Sequence, residues 1–521
     1  MKSYKWITSF VLSAAVIFAG CSAKSGPQNK ESTIRIGTVH RIRSGNPLYD
    51  YSLGIFTMIS NPPLLRLSND GGIKGLLADS YSFSPDYSRW KFMIGKNYYW
   101  SDGVPVTPGD VTFSMAYLAE HVPSRRWLRK VLLQAGVTED HGVTFTFNKP
   151  YTRLDMEFTS VQIFPKHIWE KVRNPKYNKD DTMAQYTGCG PFVISSIDLN
   201  AGLVSMNRNP YWQGKEPALD RIEIHMYRNL DVLSLALEKG HVDSFYKYAD
   251  SYPYANIDRL RRTGNFDFLE TPGTGLTFLG FNLRKKPLSD IAFRRAAAYA
   301  IDYGEIVKLT GFGYGETPGK GFVTPDMMYY KESEKLKQDI NKGRDMLRQA
   351  GYQDQKGVLL LLSTSPYVRL CELVKSYLSR LGIPVEVKIV DNATWVTMKD
   401  RCDYDITISR TTPWGMRAHA NWGTGYFDSR RSGEGVLHSV DDPAFLSLCD
   451  AVLATKEPAE LERYAREIRD YYAEKLPAVA LIWKKGVIPF HRGFEGWVVE
   501  PVYGIFNIEN FLNLKRSHAP H

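Results

Sequence analysis

Residues 77–116 read LADSYSFSPDYSRWKFMIGKNYYWSDGVPVTPGDVTFSMA, and the chain is best understood outward from there. Trp90, Phe92 and Ile94 alternate with Lys91, Met93 and Gly95, the period of a strand with one buried face. Tyr98, Tyr99 and Trp100 add bulk, and Ser101-Asp102-Gly103 supplies turn chemistry. Thr107-Pro108-Gly109-Asp110 then predicts a helix start: a Thr cap, a proline at the first helical position and a carboxylate at the third. Periodicity alone makes this an ordinary strand–turn–helix of an α/β domain.

The neighbouring segments extend the pattern. Before the stretch come a short strand, residues 33–38, and the loop Asn46-Pro47-Leu48-Tyr49-Asp50-Tyr51, then Asn61-Pro62-Pro63-Leu64-Leu65. After it, residues 143–148 alternate as a strand. Phe164-Pro165-Lys166-His167-Ile168-Trp169 and Gly188-Cys189-Gly190-Pro191-Phe192 follow; the two glycines are expected to take backbone angles denied to other residues. Next are Asn207-Arg208-Asn209-Pro210-Tyr211-Trp212, Leu235-Ala236-Leu237-Glu238-Lys239-Gly240, the strand 278–282 and an Ala-rich helix ending Tyr299-Ala300-Ile301-Asp302. An apolar strand at 358–362, a helix over 366–381 and a strand at 383–390 have the spacing of a parallel βαβ unit. A strand at 405–409 and helices over 443–454 and 458–475 complete the second half, and residues 478–483 and 504–506 lead the chain back.

Together these strings resemble the family 5 extracellular solute-binding proteins, the peptide- and nickel-binding subunits of ABC importers. Leu77-Ala78-Asp79-Ser80-Tyr81, Trp90-Lys91-Phe92, Ser101-Asp102-Gly103, Pro105, Thr107 and Asp110-Val111 match the family signature. Ile94 without a following Arg, Trp100-Ser101 in place of Phe-His, and Cys189 in place of Thr depart from it. The resemblance implies an α/β, two-lobed periplasmic-binding-protein fold, class II-like and of cluster C, with an extra subdomain in the first lobe. It divides the chain into a first lobe (33–75, 188–282), the extra subdomain (76–187), a second lobe (283–477) and a return to the first lobe with a C-terminal tail (478–521). It implies a transport receptor rather than an enzyme, working as a monomer with a membrane permease and its ATPase subunits.

The N-terminal residues agree with export. Lys2 and Lys5 precede a short apolar run, residues 7–18, and Phe18-Ala19-Gly20-Cys21 closes it. Such a run is a signal h-region, too short to span a bilayer comfortably. The small residues before Cys21 resemble a lipobox, which implies lipidation of Cys21, a membrane anchor and a facing toward the periplasm or cell exterior. Residues 1–20 are then the signal and 21–32 a polar tether. The formal charge of +10 is spread along the chain, with no basic tract longer than Arg284-Lys285-Lys286, so no nucleic-acid partner is expected. Cys189, Cys371, Cys402 and Cys449 show no metal-knuckle spacing, and most are expected to be free and buried.

No nucleophile–base set is readable, and no His-Glu-x-x-His or Gly-x-Ser-x-Gly occurs. The string from Gly315 to Gly321 misses the phosphate-loop spacing. The resemblance places ligand contacts in loops bordering the interlobe cleft. In the first half these are Tyr49 and Tyr51, and Arg125, Arg126 and Trp127, similar to an arginine motif that holds chelator carboxylates in the nickel branch. In the second half they are Arg410, Trp414, His419 and Trp422. Peptide-binding relatives carry an Asp in that second loop to hold the peptide ammonium, but no acid occurs here between Asp405 and Asp428. A buried ammonium without a carboxylate is costly. The expected cargo is therefore nickel or a similar metal in an anionic chelator, with His419 as one metal ligand and no resident cofactor. A di- or oligopeptide is the alternative cargo, and a sensing or enzymatic role on the same scaffold the alternative of another class.

Overall fold

The computed structural model describes residues 32–517 except 49, 69–71, 123–124, 126–127, 174, 176–182, 249, 321–324, 326–328, 355–356, 412–426, 432–439 and 501–502, with backbone only at 51, 183–184, 272–274 and 431. The deciding stretch folds as its alternation requires. Strand Arg89–Ile94 sits between Ala78–Phe83 and Gly142–Phe147 in a four-stranded antiparallel sheet whose far edge is Leu132–Val137. Trp90, Phe92 and Ile94 point into a core shared with Phe145, Phe158 and Trp169, and the Trp90 indole donates to the Tyr151 carbonyl at 3.0 Å. Helix Pro108–His121 covers that core. At its start the buried Asp110 carboxylate accepts from the Thr107 N–H and hydroxyl, both at 2.8 Å, and from the Lys166 N–H at 2.8 Å. The acid expected to assist the cap thus ties two elements together.

A second sheet of eleven strands runs through the rest of the molecule. At one end Thr33–Thr38 lies parallel to Arg221–Met226 and to Ser244–Tyr246, with Leu203–Arg208 and Phe192–Asp198 beyond. At the other end Leu359–Thr364 lies parallel to Val385–Val390, crossed over by helix Val368–Ser379, and to Ile406–Arg410. Two long strands, Phe266–Phe281 and Ala478–His491, belong to both halves. Residues 266–271 pair with 486–491 on the first-lobe side, and 277–280 pair with 478–482 on the second-lobe side. Between them the register slips three times, around Gly273, Leu276 and Thr277. Gly275 is the tightest point: its φ is +105°, and a Cβ there would lie 1.9 Å from the Thr411 carbonyl oxygen. No side chain fits.

The two glycines of Gly188-Cys189-Gly190 correct an expectation. Neither has a positive φ; both are needed for space. A Cβ would fall 2.3 Å from the Ser60 carbonyl oxygen at Gly188 and 1.8 Å from that of Ile59 at Gly190. Close packing lets the Gly190 N–H reach the Ser60 carbonyl at 2.9 Å. Cys189, Cys371 and Cys449 are buried and Cys402 is partly exposed, and none of the four is in a disulfide among the described residues. Lys320 pairs with Glu334 at 2.5 Å, which engages the lysine of the glycine-rich string in an ordinary surface ion pair.

The second lobe also meets the extra subdomain directly. The hydroxyl of Thr152 donates to the Leu453 carbonyl at 3.0 Å, and the Lys456 ammonium pairs with the buried carboxylate of Asp155. The same ammonium lies 4.7 Å from the Trp90 ring centroid and 5.0 Å from that of Phe83, within cation–π range. No helix among the described residues is long and apolar enough to cross a membrane.

Candidate functional site

The polar groups that converge on the hinge, the place where the two long strands pass from one half to the other, come from four chain segments. Lys247 and Asp250 follow strand Ser244–Tyr246 of the first lobe, their charges 2.5 Å apart. Arg410 ends strand Ile406–Arg410 of the second lobe, and Lys484 stands midway along Ala478–His491, opposite Gly315. Tyr254 opens helix Tyr254–Arg261, stacks on Tyr314 with centroids 5.2 Å apart, and donates its hydroxyl to the Lys485 carbonyl at 2.6 Å. The Lys484 ammonium lies 5.8 Å from the Tyr254 centroid.

Electrostatics fixes the character of this place. Burial works against ionisation of Asp250, but Lys247 and Arg410 outweigh it and hold the carboxyl at about 2. Burial lowers the pKa of Lys484, with Arg410 and Lys247 adding to the fall and Asp250 opposing it. Among the described residues, three basic side chains thus gather at the Asp250 carboxylate, and about a third of the Asp250 side chain still meets solvent. His40 bounds the same region. Burial first, and then Lys247, lower its pKa to about 4, and its neutral ring accepts the Tyr248 N–H through Nε2 at 2.8 Å. A cavity of about 170 Å³ opens beside Lys484 on the second-lobe side, between Thr277, Phe312, Tyr367 and Arg369. Such a setting favours a ligand that brings negative charge, because a carboxylate there relieves cation–cation repulsion at low local dielectric.

Of the residues singled out in the sequence, Arg410 lies in this cluster. Arg125 is bonded within the extra subdomain, to the Glu157 carboxylate at 2.6 Å and the Ser160 hydroxyl at 2.8 Å. Tyr51 opens helix Tyr51–Phe56, where only its backbone is described. Cys21, Tyr49, Arg126, Trp127, Trp414, His419 and Trp422 lie outside the described residues. Lys247, Asp250, Tyr254, Lys484 and His40 went unnoticed. For Lys484 a signal existed: Lys484-Lys485 interrupts an apolar strand run without ending it.

Comparison with known proteins agrees with this architecture. Residues 72–433 match the family model for bacterial extracellular solute-binding proteins, family 5 Middle. The probable D,D-dipeptide-binding periplasmic protein DdpA of Escherichia coli K12 is 24% identical over 470 residues, covering 85% of this chain and 87% of that protein. The periplasmic binding protein AgaA of A. tumefaciens R10, solved with agropinic acid, superposes with a TM-score of 0.79 at 22% identity, covering 94% of this chain and 99% of that one. NikZ of Campylobacter jejuni, solved with Ni(L-His), gives 0.76 at 18% identity, covering 93% and 99%. The two-lobed fold, the hinge strands and the matched body establish that this chain belongs to the bacterial extracellular solute-binding proteins of family 5, the exported binding components of ABC importers and not enzymes.

Proposed function

We propose that this protein captures a small anionic solute between its lobes and delivers it to the permease and ATPase of an ABC importer. The observation that carries the reading is the meeting of Lys247, Arg410 and Lys484 around the carboxylate of Asp250. A nickel or similar metal ion in a carboxylate-bearing chelator fits this charge. It would be held by Arg410 and Lys484, with His419 supplying one imidazole and Trp414 and Trp422 apolar walls. Tyr49, Tyr51, Arg126 and Trp127 take the secondary places in this proposal. Arg125 would have to exchange Glu157 for the ligand. NikZ was solved with a nickel–histidine complex and AgaA with an organic acid, and both are of this fold. A di- or oligopeptide entering carboxylate-first is the second reading, supported by the same cations. The receptor acts as a monomer without a resident cofactor, and acyl chains on Cys21 hold it at the membrane.

The test is calorimetric titration of the apo protein with nickel alone, nickel with free histidine, nickel with a small polycarboxylate, and short peptides with free or blocked ends. Chelates are expected to bind at micromolar concentration or tighter. Arg410→Met and Lys484→Met should each weaken them by about ten- to a thousandfold, the cost of breaking a desolvated charge pair. Tight binding of peptides that needs a free amine and ignores amidation of the carboxylate, with no nickel response, would overturn the anionic reading.

A further inference from the structure

The hinge cluster does not account for a second charged cavity, lined by the first lobe and the returning C-terminal segment. It has a volume of about 40 Å³, room for one small head group, and lies between Met58, Leu67, Leu76 and Phe506 on its apolar sides. Three charged residues line it: Arg66, Glu500 and Glu509. Arg66 and Glu509 form an ion pair with each other. The Glu500 residue is fixed by its backbone, which exchanges hydrogen bonds with Gly504 at 2.9 and 3.0 Å. Its carboxyl has no hydrogen-bond or ion-pair partner among the described residues. Burial, reinforced by Glu509 and opposed by Arg66, pushes its pKa up to about 8.

Two carboxylates against one guanidinium leave this cavity one negative charge in excess whenever Glu500 is ionised. Glu500 is half-buried by accessible surface, and an ionised carboxyl there gains from a cationic partner. The apolar walls suit methylene groups, and the lining includes two aromatic residues, Tyr503 and Phe506, of the kind that attract a cation. We propose that this cavity is a binding site for an ammonium or guanidinium group carried on an aliphatic stem, with the Glu500 carboxylate as its direct partner.

The proposal is independent of which solute the hinge cluster takes, and it has a readable proton signature. A cation binds the ionised carboxyl, so capture below pH 8 drives a proton off Glu500. Titration of the full chain with n-butylammonium and with guanidinium, each from pH 6 to pH 9, is the measurement. Affinity should rise close to tenfold per pH unit up to about pH 8 and then level, while both probes stay charged throughout. Calorimetry in buffers of different ionisation enthalpy should show nearly one proton released at pH 7. Glu500→Gln should lose at least tenfold in affinity together with the pH dependence and the proton release. Glu500→Asp, which keeps the charge, should retain the pH dependence. Binding of n-butanol as tight as that of n-butylammonium would overturn the proposal. So would a pH profile unchanged in Glu500→Gln, or no binding of either cation at tens of millimolar at pH 9.

Discussion

Asp250→Asn separates the two jobs that a carboxylate at the hinge could have. In the parent protein the Asp250 carboxyl titrates at about 2 instead of 3.8. At about 1.4 kcal/mol per pH unit, that difference corresponds to roughly 2.5 kcal/mol of favourable interaction with Lys247 and Arg410. A third of the side chain is exposed, so solvent screening brings the expected loss on substitution down to about 1–2 kcal/mol. The pKa is depressed, so this stabilisation is complete above pH 3.8 and disappears as the pH falls toward 2. Urea unfolding should therefore show a constant gap between variant and parent from pH 5 to pH 8, shrinking below pH 4. Binding should move the other way. Removing one negative charge at roughly 8 Å from a bound anion, at an effective dielectric of about 20, favours the anion by about 2 kcal/mol, a tightening of about thirtyfold. A variant that is less stable and binds anionic solutes more tightly fits the cluster as described. A variant that loses its ligand altogether would refute the argument, making Asp250 the anchor of a ligand ammonium and placing the chain among peptide binders.

Four further outcomes are expected. Gly275→Ala should cost about 2–4 kcal/mol in urea unfolding, because strain at φ +105° adds to the collision with Thr411; Gly240→Ala, at φ +68° with open space around it, should cost about 1 kcal/mol. Lys456→Met removes the ion pair between the second lobe and the extra subdomain, leaving the Thr152–Leu453 hydrogen bond. Small-angle scattering should show a larger radius of gyration for the unliganded variant, and an unchanged curve would deny that Lys456 and Asp155 hold the lobes together. Cys21→Ser should release the protein from membranes with its ligand affinity intact, and unchanged membrane partition would remove the anchor. Finally, Glu500 keeps its proton until about pH 8 instead of 4.5, so the parent should lose stability as pH rises through that window, by at most about 5 kcal/mol; Glu500→Gln should flatten the loss.

Local signals were legible where the chain states its own boundaries. Helices Pro443–Ala454 and Pro458–Lys475 match their sequence reading because each has a proline in the first turn, where a missing N–H costs nothing. The βαβ unit around helix Val368–Ser379 was likewise readable from apolar runs between turn residues. The hinge was not. Strand Phe266–Phe281 contains Pro272-Gly273-Thr274-Gly275, a string that by itself reads as a turn, so only its last residues looked extended. The sheet absorbs these residues as register slips, which depend on the partner strand two hundred residues away. Edge strand Leu132–Val137 escaped for the opposite reason, since it is largely exposed and has no alternation to betray it. The charge cluster shows the same limit: Lys247, Arg410 and Lys484 are unremarkable in sequence and acquire meaning only when the hinge brings them beside Asp250.

The order in which the strands are laid down has a consequence for synthesis and secretion. The first-lobe sheet begins with Thr33–Thr38, but its neighbours are made about two hundred residues later, and Ser244 waits for Phe490. Helix Ile508–Asn513 and strand Lys515–Arg516, which pairs with Phe494–Glu495, close the same lobe later still. Pairings of such long range form slowly, since the entropy of closing the loop is lost before any contact is gained. A chain emerging from the ribosome cannot complete its first lobe until nearly all of it has been made. For a chain exported unfolded, this strand order by itself lengthens the interval before the first lobe can close.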